Sequence, residues 1–578
     1  MGLTSAFQIG RSALTASQLG IQVAGNNLAN ASSPDYTRQT ALLSPSGGRL
    51  ISQNAYSGGG VAIDGVRREI NEALQQRLRT GIADESAART RLDVYSGVES
   101  SLNELTGYDL SSQLSTFFNS WSERANLVQS SAVIVQQGEE LASFMRTMRS
   151  DLVDQRQQID GELGAAVERA DSLLSEIADV NGQIANAETG GATAPGLRDK
   201  RDELLSELSG LMDVSTIEHA NGAVDVLVGS TPVVLGGLSR GLDLVRESDN
   251  GDLSVRIVLK DDRTTVPITS GRVGALLDAR GEAVDGTIEK LDAIASELIF
   301  RINQIHANGT NLDGLTSASG TMRISPADQT LALNDPTNST LAQSPFTPTN
   351  GGFLVHVNDE VNGGTRTVRI DVDLDGIDAT GTSGFGDDTS AEDIRAALDA
   401  IPGLNATFDA GGRLNVEAAT GFSFSFAEDS SGVLAALGVN SYFTGTDASD
   451  IAVRDDLIDD PNSLMVGRID DGTFVENATA LAIAGVQDES LDGLGGENLR
   501  ASWSNAVQQV ANRTSAAVTR ADAAGVVRDS LEAQRAAQSG VSIDEETMNL
   551  LSFQRQFQGA ARIISIADQL LQTLFAIV

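Results

Sequence analysis

The 578-residue sequence contains no cysteine. A disulfide framework, a thiolate nucleophile and a cysteine-bound metal are therefore excluded, which is compatible with either side of a membrane. Histidine is nearly absent: only His219, His306 and His356 occur, widely separated and without acidic clusters at ligand spacing. Each is expected to be exposed or satisfied rather than catalytic or metal-bound. Aromatics make up 4%, and 40 basic residues, nearly all Arg, face 79 acidic ones. The resulting net charge of -39 repels nucleic acid and anionic membrane, so neither is an expected partner. No apolar run approaches the roughly 18 residues needed to span a bilayer. The opening stretch MGLTSAFQIGRSALTASQLG lacks a cationic segment followed by an apolar core. It is not expected to be a cleavable secretory signal, so export would need another route. No phosphate-binding Gly-rich loop with a following Lys is visible, nor a nucleophile, base and oxyanion-donor set, so neither an enzyme nor a cofactor is expected.

What the sequence does have is the same apolar heptad at both ends. Phe7, Leu14, Ile21 and Leu28 recur every seven residues, with Leu3, Gly10, Ser17 and Ala24 between them. Leu550, Phe557, Ile564, Leu571 and Val578 do the same, with Phe553, Ala560, Ala567 and Leu574 between. Such repeats form one stripe on a helix, against which a partner helix packs. On pattern alone the stripes fit an intramolecular helix pair as well as an assembly surface. An isolated helix of this length is marginal in water. Residues 1–30 and 543–578 are accordingly expected to be poorly ordered alone and to fold on docking with neighbouring subunits.

At this length several domains are expected, since single cores rarely exceed about 250–300 residues. The first helix is predicted from Ser5 to Leu28, ending in the Asn26–Pro34 stretch. Long helices are predicted from Asn71 to Ala187. One stripe is Leu92, Tyr95, Val98, Leu102 and Leu105, and another runs from Leu141 through Leu152 and Leu163 to Ile184. A charged helix spans Leu197–Leu211, β-type runs fill 214–268, helix returns over Arg272–His306, and a second β-rich stretch covers 321–453 with a short helix at 391–398. The fold class is α+β multidomain: terminal helical coiled-coil segments and a long-helix bundle, with β-rich domains inserted centrally. The expected regions are 1–45 with 540–578 (terminal assembly), 46–213 with 271–320 and 454–539 (helical bundle), 214–270 (β-rich) and 321–453 (β-rich).

The stretch Asn26-Asn27-Leu28-Ala29-Asn30, followed by Ser33-Pro34-Asp35-Tyr36-Thr37-Arg38, resembles the N-terminal motif of the bacterial flagellar axial proteins, the rod, hook and hook-associated proteins. The run from Gly540 through Asn549-Leu550-Leu551-Ser552-Phe553-Gln554-Arg555 to Arg562 is similar to the matching C-terminal motif. Asp35 stands where the motif more often has Gly. Leu197–Leu205 and Ile302–Gly309, the latter followed by Leu312-Asp313-Gly314, resemble segments of the hook-filament junction members. The resemblance implies a structural role in motility, at the distal end of the hook. It implies self-assembly into a ring or tubular layer beside the hook protein and a second junction protein. It further implies secretion through the flagellar type III channel and an export chaperone at the C-terminal helix. The implied interface comprises Leu3, Phe7, Leu14, Ile21, Leu28, Leu550, Phe553, Phe557, Ile564, Leu571 and Leu574. The implied motif residues are Asn26, Asn27, Leu28, Ala29, Asn30, Pro34, Tyr36, Arg38 and Gln554. Another axial role, in hook or rod, remains open.

The remaining candidate is Asp371-Val372-Asp373-Leu374-Asp375-Gly376, which resembles the start of an EF-hand calcium loop. Position twelve would be Thr382 rather than Glu, and no flanking helix pair is evident, so acidic turn residues are the simpler account. Asp387-Asp388 and Asp455-Asp456 read as solvated charge. If the β regions did bind calcium, a secreted adhesive protein would be the alternative function.

Overall fold

The computed structural model describes residues 2–33, 36–52, 55–102, 107–126, 128–190, 193–249, 252–342, 344–378, 380–470 and 472–577, without the side chains of 2, 49–57, 248–254, 574, 575 and 577. Pro34, Asp35, Leu105 and Val578 and the side chain of Leu574, all singled out above, lie outside the described residues. Helix accounts for about 54% and strand for 18%, in several small sheets, which makes the chain α+β multidomain as its periodicities predict. No described helix is long and apolar enough to cross a membrane.

The helical stripes fold as their spacing dictates. Helices span Gly2–Ala29, Glu72–Leu102, Leu110–Ala125, Ser131–Ala187 and Pro195–Leu211. Leu141, Leu152, Leu163 and Ile184 all fall on the buried face of Ser131–Ala187. The predicted helix Arg272–His306 is instead Gly271–Ala279, a π-helical turn Arg280–Asp285, and Gly286–Ala307. Two helices, Leu499–Ser539 and Ile543–Ile577, complete the chain.

These elements form two compact units, residues 1–94, 158–279 and 515–578 in the first and 95–157 and 280–514 in the second. The four regions drawn from the sequence do not coincide with them. The strands of 214–270 are not a separate β domain. Asn181, on Ser131–Ala187, donates to the carbonyls of Val224 and Gly236 at 2.8 Å and accepts from the Val224 N–H, locking the four-stranded sheet Val214–Ser239 onto that helix. The second β region starts earlier than 321, because Ser317–Ser319 pairs antiparallel with Leu414–Ala418. Helix resumes at Leu499, and the part of 454–539 before it carries strands within the region assigned to the bundle: Gly467–Asp470 pairs with Gly309–Thr310 and Thr473–Val475. Strand pairings between residues far apart in sequence leave no mark in local periodicity.

In the first unit, Gln39–Pro45 and Val61–Arg68 pair antiparallel behind the first helix. In the second, four aromatics gather at one centre. Phe117, Trp121, Tyr442 and Phe443 are fully buried, with Tyr442 and Phe443 edge to face at 4.7 Å and Trp121 5.5 Å from Tyr442. The Tyr442 hydroxyl donates to the Ile134 carbonyl at 2.9 Å. An aromatic content of 4% therefore still supplies a buried aromatic centre.

Candidate assembly interface

The helices Gly2–Ala29 and Ile543–Ile577 pair with each other, and small residues make this possible. Fully buried positions on the first helix include Gly10, Ala16, Ser17, Gly20, Ala24 and Asn27. A Cβ at position 20 would sit 2.5 Å from the Phe553 ring, and one at position 10 would sit 2.8 Å from Ile564 Cγ1. Gly10 thus lies against Ile564, Gly20 against Phe553 and Asn27 against Glu546, so the helices run antiparallel. The expectation that both ends stay unordered until assembly is overturned in this structure, where each end supplies the other's partner.

The set Phe7, Leu14, Ile21 and Leu28 is not the centre of this seam. These residues, like Leu3, are half-buried, while the interleaved Gly10, Ser17 and Ala24 are buried. A straight helix drifts about 20° per heptad from an exact seven-residue repeat, and close approach selects the small residues. On the C-terminal helix, Leu550, Phe553, Phe557, Ile564 and Leu571 do face the seam, half-buried around fully buried Ala560 and Ala567.

The N-terminal motif is a polar clasp that locks this pair. Asn27 is fully buried and its amide makes all four bonds open to it. Its Nδ2 donates to the Gln39 carbonyl at 2.8 Å and to Glu546 at 3.0 Å, and its Oδ1 accepts from the Gln39 N–H at 3.0 Å and the Tyr36 hydroxyl at 2.8 Å. Glu546, only 3% exposed, is neutralised by Arg38 at 2.8 Å, and Arg38 also pairs with Glu545 at 3.2 Å. Asn26 donates to the Tyr36 oxygen at 3.2 Å, and Asn30 closes the helix end on the Asn26 carbonyl at 2.9 Å. Burial, reinforced by Asp199 and Glu546, pushes the Tyr36 phenol up to about 12, so it stays a donor. Ala29 and Gln554 are exposed and take no part in the clasp.

With the seam occupied, the C-terminal helix keeps a second apolar face. Met548, Leu551, Ile563, Ile566 and Leu570 are 63%, 50%, 42%, 56% and 53% exposed; at 100° per residue Met548, Leu551 and Ile566 lie opposite the Phe553–Phe557–Ile564 stripe, while Leu570 and Ile563 flank it, Ile563 Cγ2 lying 3.4 Å from where a Cβ at position 10 would sit. Sequence reasoning missed them. Their signal was the seven-residue step from Ile563 to Leu570 with Ile566 between, overshadowed by the stronger stripe beside it.

The family model "Flagellar hook-associated protein FlgK helical domain" matches 95–321, and "Flagellar basal body rod FlgEFG protein C-terminal" matches 532–577. The protein named flagellar hook-associated protein 1 is 25% identical in Escherichia coli K12 and in Salmonella typhimurium LT2, in each case over 98% of both chains. Over nearly its whole length the chain is thus similar to flagellar hook-associated protein 1. The Bacillus subtilis member is 27% identical over 54% of this chain and 68% of its own. A solved flagellar hook junction protein, FlgK of Burkholderia pseudomallei, aligns over 80% of this chain and 99% of its own, with a TM-score of 0.47 and 16% identity.

The other two segments that resemble the hook-associated family also prove to be polar fasteners. In Leu197–Leu205, Asp199 and Asp202 both grip Arg68, Asp199 at 2.9 Å. Burial, with Asp202 adding to it, pushes the Asp199 carboxyl up to about 6 against the pull of Arg68. In Ile302–Gly309, Asn303 accepts from the N–H groups of Tyr442 and Phe443 and donates to the Phe443 carbonyl. His306 Nε2 accepts from the Met465 N–H at 3.2 Å, so Nδ1 carries the proton to the Asn440 carbonyl at 2.8 Å. Burial pulls this imidazole down to about 4, and it is neutral. His219 pairs with Asp225 and His356 with Thr367, so all three histidines have partners other than a metal.

Proposed function

We propose that this protein is a structural subunit joining the flagellar hook to the filament, through axial packing of its paired terminal helices. The observation that carries this reading is the clasped helix pair with large apolar side chains left on its outer face, at the ends that match the axial motifs. An exposed stripe of Ile563, Ile566 and Leu570 is costly to leave in water and stabilising to cover, at roughly 25 cal/mol per Å² of apolar surface. Its occupants are copies of the same chain in a ring or tubular layer, flanked by the hook protein and the second junction protein. Before assembly, the same C-terminal stripe offers an export chaperone its binding face. The chain then works outside the cell after passing the flagellar type III channel. Its ends dock as a preformed rigid pair.

The test separates docking from folding. Ile566→Asp with Leu570→Asp is expected to leave the circular dichroism and melting of the soluble chain unchanged while abolishing incorporation at the hook tip and swimming. Normal incorporation of that double variant would overturn the proposal. Phe557→Asp, which strikes the seam, is expected to lose both the terminal pairing and incorporation.

A further inference from the structure

We infer that the turns beside the strand Thr365–Val372 form a binding site for a hard divalent cation, calcium by its ligand set. Asp373, Asp375 and Asp388 each bring a carboxylate oxygen to within 4.8 Å of the other two. Acidic turns are common without an ion, but here Asp388 is different. It is only 6% exposed, so it is not the solvated charge that its sequence context suggests. Its Oδ2 accepts from Asn334 Nδ2 at 2.6 Å and from the Gly376 N–H at 3.1 Å. Its Oδ1 is buried without a donor among the described residues. A second acceptor, the Oδ1 of Asn334, is buried and unpaired as well. Burying an ionised oxygen without a partner is costly, and placing it beside two more carboxylates adds repulsion that a bound cation reverses.

The carboxylates come from two turns rather than one loop, and these turns are already fixed to each other and to the segment that carries Asn334. The Leu333 N–H donates to the Thr389 carbonyl at 3.0 Å, and the Thr389 N–H to the Asp373 carbonyl at 2.7 Å. Ser390 then starts the helix Ala391–Asp399 with a capping box to Asp393. The EF-hand register is corrected by this geometry. Asp371 is 80% exposed and paired with Arg369 at 2.7 Å, and the Thr382 N–H is bonded to Asp378 at 2.9 Å, so neither is a ligand. Three carboxylates with water suit the six to eight flexible oxygens of calcium better than the strict octahedron of magnesium. Two of the carboxylates are exposed, which places the affinity in the weak extracellular range, about 10⁻⁴–10⁻³ M.

The full-length chain, freed of metal by chelator, is titrated calorimetrically with calcium chloride and, separately, magnesium chloride. One calcium site in that range is expected, with magnesium at least about tenfold weaker. Asp388→Asn and Asp375→Asn are each expected to weaken calcium at least about tenfold, and Asp371→Asn to leave it unchanged. Because Asp375 is exposed, its variant reports on binding even if Asp388→Asn fails to fold. No calcium heat up to about 10 mM, or unchanged binding by folded Asp375→Asn, would overturn the site. Equal affinity for magnesium would overturn the calcium assignment.

Discussion

The aromatic centre of the second unit and the terminal helix pair of the first treat large side chains in opposite ways. Phe117, Trp121, Tyr442 and Phe443 retain no exposure. In the terminal pair the fully buried positions are largely small, Gly10, Ser17, Gly20, Ala24, Ala560 and Ala567, while Phe553, Phe557 and Ile564 stay half-buried and Ile566 and Leu570 exposed. The first arrangement is complete within one chain. The second holds its two helices by close approach and a polar clasp, and leaves large apolar side chains exposed on its outer side.

Truncating the complete core is expected to cost most. Trp121→Ala should destabilise the second unit by about 3–5 kcal/mol, read from denaturant midpoints. Acid separates the two units by sign. His306 has a folded pKa of about 4, below the ordinary 6.5. Its contribution is present above 6.5 and is lost as pH falls towards 4, by about 3 kcal/mol. Asp199 has a folded pKa of about 6, above the ordinary 3.8. The folded state therefore takes up that proton first, and its contribution grows as pH falls from 6 to 3.8. Melting curves of His306→Gln and Asp199→Asn between pH 4 and 7 should lose these opposite slopes; parallel slopes would break the comparison. Asn27→Leu leaves Glu546, Tyr36 and Gln39 short of partners and is expected to cost about 2–4 kcal/mol, with faster hydrogen exchange at both ends. Gly20→Ala meets the Phe553 ring but gains helix propensity, for a net loss of about 1–2 kcal/mol. Ile566→Asp should change monomer stability by less than about 0.5 kcal/mol; a larger loss would mean that the outer face is already covered within the chain.

The contrast also separates what local pattern reveals from what it hides. The helices of 72–211 announce themselves because a 3.6-residue period is a local property, and the motif Asn26–Arg38 is recognisable as a string. Its wiring was not readable, since Asn27 and Glu546 are 519 positions apart. The seam was misassigned for a physical reason: a heptad of large residues looks like an interface centre, yet two helices approach most closely where side chains are smallest. The π-helical turn Arg280–Asp285 was invisible because it interrupts hydrogen bonding without interrupting apolar spacing. Asp388 was misjudged because burial of an acidic residue depends on Asn334 and Gly376 reaching it from elsewhere.

The bond from Asn27 to Glu546 also orders events in time. During synthesis the amide of Asn27 emerges long before its carboxylate partner exists, so the clasp cannot close until residues 543–577 have followed. Everything between them can already be folded, and that folding shortens the effective loop still to be closed. A chain interrupted between residue 514 and Glu546 would carry the second unit and an open N-terminal helix with nothing to receive Gly20 or Asn27. Joining Asn27 to Glu546 in one fastener therefore makes the paired surface conditional: it exists only in a molecule whose synthesis has passed through the helix Ile543–Ile577.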